Sequence, residues 1–129
     1  MSTSAIIRTE QQTTARAAAE RYFEGLMQRN LALIPWAATA ILRTPLNPNG
    51  GSDSPIRGRD AIHNFFEPML PALVQVEPIR FFVDEDWVAG RALITLGNGR
   101  KLHVCDVFHV VHGQIVEQEN YYDPRPALE

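Results

Sequence analysis

Near residue 75 the spacing of apolar residues changes period, and that change constrains the fold more than any other feature of the chain. Upstream, Ala15, Ala18, Ala19, Tyr22, Phe23, Leu26 and Met27 recur at three- and four-residue spacing, the stripe of a helix with one buried face. Downstream, Gln75–Val83, Trp87–Leu96, Arg100–Val111 and Gln114–Tyr122 alternate, which is strand patterning. Asn98-Gly99 and His112-Gly113 stand between them as hairpin turns. Helices first and an antiparallel meander afterwards predict an α+β domain, a curved sheet with helices packed on one face.

The connecting segments carry weaker signals. Thr9 with Gln12 fits a capping box, so the first helix is predicted from about Glu10 to Arg29. Residues 1–8 are then expected to be a disordered tail, and residues 9–129 one domain. Asn30–Ala38 is expected to add a helical turn or two, interrupted by Pro35, before a short strand at Thr39–Thr44 that Pro45 stops. Pro45–Gly58 is the one long loop. Arg59–Leu73 is predicted as a second helix with Ile62, Phe65, Phe66 and Leu70 inward, shortened or kinked by Pro68 and Pro71.

Composition excludes several function classes. A net charge of −3 gives no general case for nucleic acid or an anionic membrane surface. One cysteine, Cys105, allows no intramolecular disulfide and is expected to be a small core residue. No run approaches the roughly 20 apolar residues of a membrane span, and the expected location is the cytoplasm. No cofactor is expected, and no residues have metal-ligand spacing.

Within the third predicted strand, Asp106 falls on the same face as Val104, Phe108 and Val110. A carboxyl on an apolar face loses water that its charged form needs. Such a group serves a salt bridge, a hydrogen-bonded structural role, or chemistry that needs a tuned proton donor. Alternation puts Cys105, His103 and His109 on the opposite face, so no Asp106–His dyad can form along this strand. His63, in the second helix, is the one histidine that could look toward an interior pocket.

The order of elements resembles the nuclear transport factor 2-like superfamily, which includes ketosteroid isomerase, SnoaL-like polyketide cyclases, scytalone dehydratase and limonene epoxide hydrolase. Ile56-Arg57-Gly58-Arg59-Asp60-Ala61-Ile62-His63-Asn64-Phe65-Phe66 is similar to the loop-to-helix entry of that superfamily. Asp106-Val107-Phe108-His109-Val110, Gly113-Gln114-Ile115-Val116 and Tyr121-Tyr122-Asp123-Pro124 are similar to its last hairpin. The resemblance implies a cone-like curved antiparallel sheet with the N-terminal helices on its concave face. The scaffold hosts unrelated activities, so the reaction must come from the site.

Tyr22 and Asp106 fall where ketosteroid isomerase places its two oxyanion-hole donors, an arrangement that includes an aspartic acid kept neutral by an apolar site. The general-base aspartate of that enzyme would precede Pro45, where this chain has Thr44. Compared with limonene epoxide hydrolase, Asn120 stands in place of one aspartate, and Arg91 is the candidate counterpart of the arginine. A water-activating hydrolase would need Arg91, Asp106 and Asn120 in one pocket.

The resemblance therefore implies an enzyme of the SnoaL-like or ketosteroid-isomerase-like type. It would carry out isomerisation, cyclisation, dehydration or hydration on a hydrophobic oxygenated substrate. Asp106, Tyr22 and Asn120 would be catalytic, and Phe108, Val104, Gln118, Tyr122, Thr44 and Trp36 would bind the substrate. The rival is a non-catalytic ligand-binding or assembly module, favoured by Thr44 at the base position. The superfamily also implies a homodimer, joined through the sheet face that carries His103, Cys105 and His109.

Overall fold

The alternating segments assemble into one six-stranded sheet of order β2-β1-β6-β5-β4-β3 in a computed structural model. The structure describes the backbone of residues 3–128 and the side chains of residues 9–128. Its strands are β1 (Trp36–Arg43), β2 (Ile56–Arg57), β3 (Leu73–Asp84), β4 (Trp87–Leu96), β5 (Lys101–Val111) and β6 (Gln114–Tyr121). The helices are α1 (Thr3–Met27), α2 (Arg59–Phe66) and the short α3 (Arg125–Leu128). The sheet is curved and unclosed, with the N-terminal helix packed on it: an α+β, nuclear transport factor 2-like fold.

From β3 to β6 the strands pair antiparallel with their chain neighbours, as a meander must. β1 returns to lie parallel beside β6, with Leu42 opposite Gln118 and Arg43 opposite Glu119. That one parallel pairing brings the first strand next to the last. β3 is an edge strand, which is why Pro78 is tolerated there, at a register break.

Two helix boundaries differ from the sequence reading. α1 begins at Thr3, so most of the segment expected as a disordered tail is helical backbone, while Met1 and Ser2 lie outside the described residues. No proline or glycine lies between Thr3 and Glu24 to stop the helix, and the Thr9 capping signal is overridden. After α1, only a short 3-10 turn, Leu31–Leu33, forms where a longer helical piece was expected. Pro35 ends it and the strand starts at Trp36. The second helix behaves as its prolines require: α2 stops at Phe66 and tightens into a 3-10 segment, Glu67–Ala72.

The core lies between α1, α2 and the concave sheet face. Ala15, Ala18, Ala19, Tyr22, Phe23 and Leu26 are all buried on α1, against Val88, Ala92, Val104, Phe108 and Val110 of the sheet. The fit is close enough to require glycine beside the sheet's central strands. A Cβ on Gly90 would sit 2.8 Å from Phe23 Cε2 and 3.0 Å from Phe81 Cε1. Gly90 pairs with Asp106, so the Phe23 ring crosses the sheet beside the aspartate.

Candidate functional site

Register places the polar residues of the interior in two adjacent rows. Gly90, Asp106 and Asn120 lie side by side across β4, β5 and β6, and Phe108 pairs with Gln118 one step along. Alternation turns Asp106, Gln118 and Asn120 inward, where all three are buried. Tyr22 reaches the same region from α1. Its ring is held edge-on by Phe23 and Phe108, with centroids at 5.0 and 5.2 Å, and by Phe66 and Trp36 at 6.0 and 6.1 Å.

Of these residues, Tyr22, Phe66, Asp106 and Asn120 lie on the wall of a cavity of about 450 Å³. Tyr22, Asp106, Asn120 and Tyr122 are its polar wall, while Leu26, Phe66, Met69, Ile94, Leu96, Leu102 and Val104 make most of the rest apolar. That combination of an apolar enclosure with a few convergent polar groups is the usual composition of a small-molecule site.

Asp106 is 2% exposed and its Oδ1 has no hydrogen-bond partner. No basic residue among the described residues bridges to it. Burial pushes its carboxyl well above the ordinary carboxylate range, which favours the neutral acid. Tyr22 is also pushed well above its ordinary value, first by burial and then by the nearby Asp106 and Tyr122, with a hydrogen bond from Gln118 opposing the rise. Tyr122 is raised to about 12, chiefly by burial. Burial thus favours the protonated form of all three groups.

The remaining sequence-selected residues divide. Val104 and Tyr122 line the cavity. Phe108, Gln118, Thr44 and Trp36 do not; they are buried directly behind its wall. Thr44 is fully buried, with its Oγ1 3.2 Å from the Tyr122 hydroxyl. Trp36 Nε1 donates to Gln118 Oε1 at 2.9 Å. His63 stays off the cavity wall and packs on Trp36, with ring centroids 5.5 Å apart.

Arg91 is exposed and pairs with Cys105 on the opposite face. It does not share a pocket with Asp106 and Asn120, so the condition for a water-activating hydrolase is not met. Among the described residues no three His, Cys, Asp or Glu side chains are placed to hold a metal, and no helix is long and apolar enough to cross a membrane.

Several lining residues were not singled out from sequence. Leu102, Ile94 and Leu96 follow from the same alternation that selected Val104. Leu46, Met69, Ala72, Leu73 and Ala127 come from loops, a 3-10 segment, a strand end and α3, where no periodicity marks a face. Asn98, in the β4–β5 turn, donates to Pro126 O at 3.0 Å and holds the C-terminal segment over the cavity.

With this geometry in view, the likeness to known proteins is specific. The model of the SnoaL-like domain matches residues 19–118. The chain belongs to the SnoaL-like family. The matched span runs from α1 to Gln118 and so includes Tyr22 and Asp106. Among curated proteins none matches. A nuclear transport factor 2-like protein of unknown function from Mesorhizobium loti superposes with a TM-score of 0.74 at 17% identity, covering 88% of this chain and 93% of that one. A protein from Kribbella flavida, provisionally named a ketosteroid isomerase, gives 0.71 at 21%, covering 88% and 80%. A de novo designed protein with a curved β-sheet gives 0.74 at 18%, covering 88% of each chain. A designed scaffold as similar as the natural ones underlines that such likeness carries the fold alone.

Proposed function

We propose that this SnoaL-like chain is a small-molecule enzyme that applies cofactor-free acid–base chemistry to a neutral, hydrophobic, oxygen-bearing substrate. The observation that carries this reading is the unpartnered Oδ1 of Asp106 on the wall of an apolar cavity. Asp106 is the acid: its O–H protonates or hydrogen-bonds a substrate oxygen as charge develops there. Tyr22 and Asn120 hydrogen-bond that same region of the substrate, and Val104 and Tyr122 enclose it.

Because Thr44 is no base, Asp106 must also take a proton back. Once it has given its proton to oxygen, the carboxylate it becomes can remove one from a neighbouring carbon or hydroxyl of the same substrate. The enzyme ends neutral, with atoms and charge balanced. Isomerisation through an enol, cyclisation and dehydration fit that cycle, and hydration is the dehydration run in reverse with water as the co-reactant. The proposed working form is a cytoplasmic homodimer joined through the sheet face of His103, Cys105 and His109, and a monomer by light scattering would remove the dimer.

The test is Asp106→Asn assayed against a panel of small ketones and enols. The variant is expected to fold and bind while turnover falls at least about 100-fold. Undiminished turnover, or a variant that no longer folds, would make Asp106 structural. The pairing of Thr44 with Tyr122 supports a second reading, a ligand-binding module without catalysis. In that case panel members bind the wild-type protein and none is converted.

A further inference from the structure

Behind the cavity wall runs a chain of three buried polar side chains whose direction chemistry decides. Trp36 Nε1 donates to Gln118 Oε1 at 2.9 Å, and Gln118 Nε2 donates to Asn120 Oδ1 at 3.0 Å. The three residues are 1%, 3% and 4% exposed. An amide can be turned end for end with little change of shape, so its polarity is set only by its partners. An indole N–H can donate but never accept. It therefore holds the carbonyl end of Gln118 toward β1 and leaves the NH₂ end for Asn120 and for the Tyr22 hydroxyl, which it also hydrogen-bonds. Asn120 must answer with its own carbonyl, which leaves its NH₂ for the cavity that it lines. That group has no protein partner among the described residues, and Asn120 stands opposite Asp106 across the β5–β6 pairing.

We propose that Trp36 and Gln118 are positioning residues that fix Asn120 as a hydrogen-bond donor beside Asp106, so that the site selects ligands whose buried oxygen accepts hydrogen bonds. The proposal rests on the reading of the cavity as an oxygen-binding site. With Asp106 neutral, the polar end presents donors from both strands, which suits a ketone or enolate oxygen. The chemical cost of a wrong amide is high in a buried site: a carbonyl facing a carbonyl leaves two acceptors unsatisfied.

Two variants remove the relay: Trp36→Phe alters no residue of the cavity wall, whereas Gln118→Met also removes the hydrogen bond to Tyr22. Trp36→Phe deletes the N–H and keeps a ring to stack on Phe66, now at 5.4 Å and 19°. Gln118→Met deletes both amide ends at similar length. In the ligand-free protein, the Gln118 and Asn120 side-chain amides are expected to give one sharp set of NMR resonances each. In Trp36→Phe these should double or broaden as a second orientation becomes available; an unchanged single set overturns the relay.

Affinity for 2-tetralone and tetralin, a ketone and its hydrocarbon counterpart, tests the consequence. The preference for the ketone is expected to fall about fivefold in either variant and no further in the double variant, with tetralin binding unchanged. Additive losses, or equal losses for both probes, overturn the positioning role, because a merely structural change would move both. If the wild-type protein does not prefer the ketone, the oxygen-binding reading of the cavity fails. The amide resonances still decide the relay in that case.

Discussion

Asp106 and Asp86 lie on opposite faces of one sheet, and their carboxyls are shifted in opposite directions. Asp86, in the turn between β3 and β4, accepts a hydrogen bond from His109 Nε2 at 2.8 Å. The His109 ring lies flat on Trp87, centroids 4.4 Å apart, with Glu117 3.7 Å from its other nitrogen. His109 holds Asp86 below the ordinary carboxylate range. The Asp106 Oδ1 has no protein partner among the described residues, and burial drives the carboxyl up. The outer carboxyl is a structural group supported as an anion. The inner one is supported only as a neutral acid, a state that stabilises nothing by itself and is useful to a substrate oxygen.

The largest effect that could break this contrast is on the inner side. Between its unfolded value and its raised folded value, Asp106 holds a proton in the folded state that the unfolded chain has released. Stability must therefore fall as pH rises through that window. Asp106→Asn has no proton to lose, so its stability relative to wild type is expected to grow by about 1.4 kcal/mol per pH unit from about pH 4 upward, until the folded value is passed. Chemical denaturation of both proteins across pH measures it. Parallel pH profiles would mean that the Asp106 charge is compensated in solution, and the contrast would collapse.

A smaller effect sharpens the geometry on the same face. Gly90→Ala puts a methyl group where the Phe23 ring crosses the Asp106 row. Overpacking of that kind is expected to cost about 1–3 kcal/mol, read as a lowered denaturation midpoint. No loss would show that Phe23 can withdraw and that the wall beside Asp106 is soft.

How much of this was legible beforehand follows from which physical signal each part leaves in a sequence. Alternation along β5 put Asp106 on the apolar face and His103, Cys105 and His109 on the other, because a period of two leaves no freedom once the strand is recognised. The Asn98-Gly99 and His112-Gly113 turns located the hairpins of the meander for the same local reason. The resemblance to the superfamily brought Tyr22 and Asn120 to Asp106, which no local pattern could do. What stayed hidden depends on distance in the chain. That β1 pairs with β6 puts Trp36 against Gln118, 82 residues apart, behind Asn120 rather than on the cavity wall. Nor could any spacing show that Thr44 is occupied by Tyr122, or that Met69 and Ala127 come from irregular segments to close the cavity. Arg91 failed as a candidate once the register was fixed, since Cys105 is its partner and it faces out.

The smallest expected effect is on the outer carboxyl, and its sign is opposite. A carboxyl with a lowered folded value contributes stability above its unfolded value and loses it as pH falls through the folded one. Asp86→Asn removes that contribution. The Asp86 side chain is 39% exposed, so solvent screens the pair and the loss at neutral pH should stay below about 1 kcal/mol. It should shrink further in high salt and vanish in acid, where wild-type Asp86 is also protonated. Asp106→Asn behaves in reverse, with its largest difference from wild type at high pH and little sensitivity to salt. If the two asparagine variants instead showed the same pH dependence, the two faces of the sheet would not differ as their partners require. Asp106 would then lose its claim to be the acid of the site.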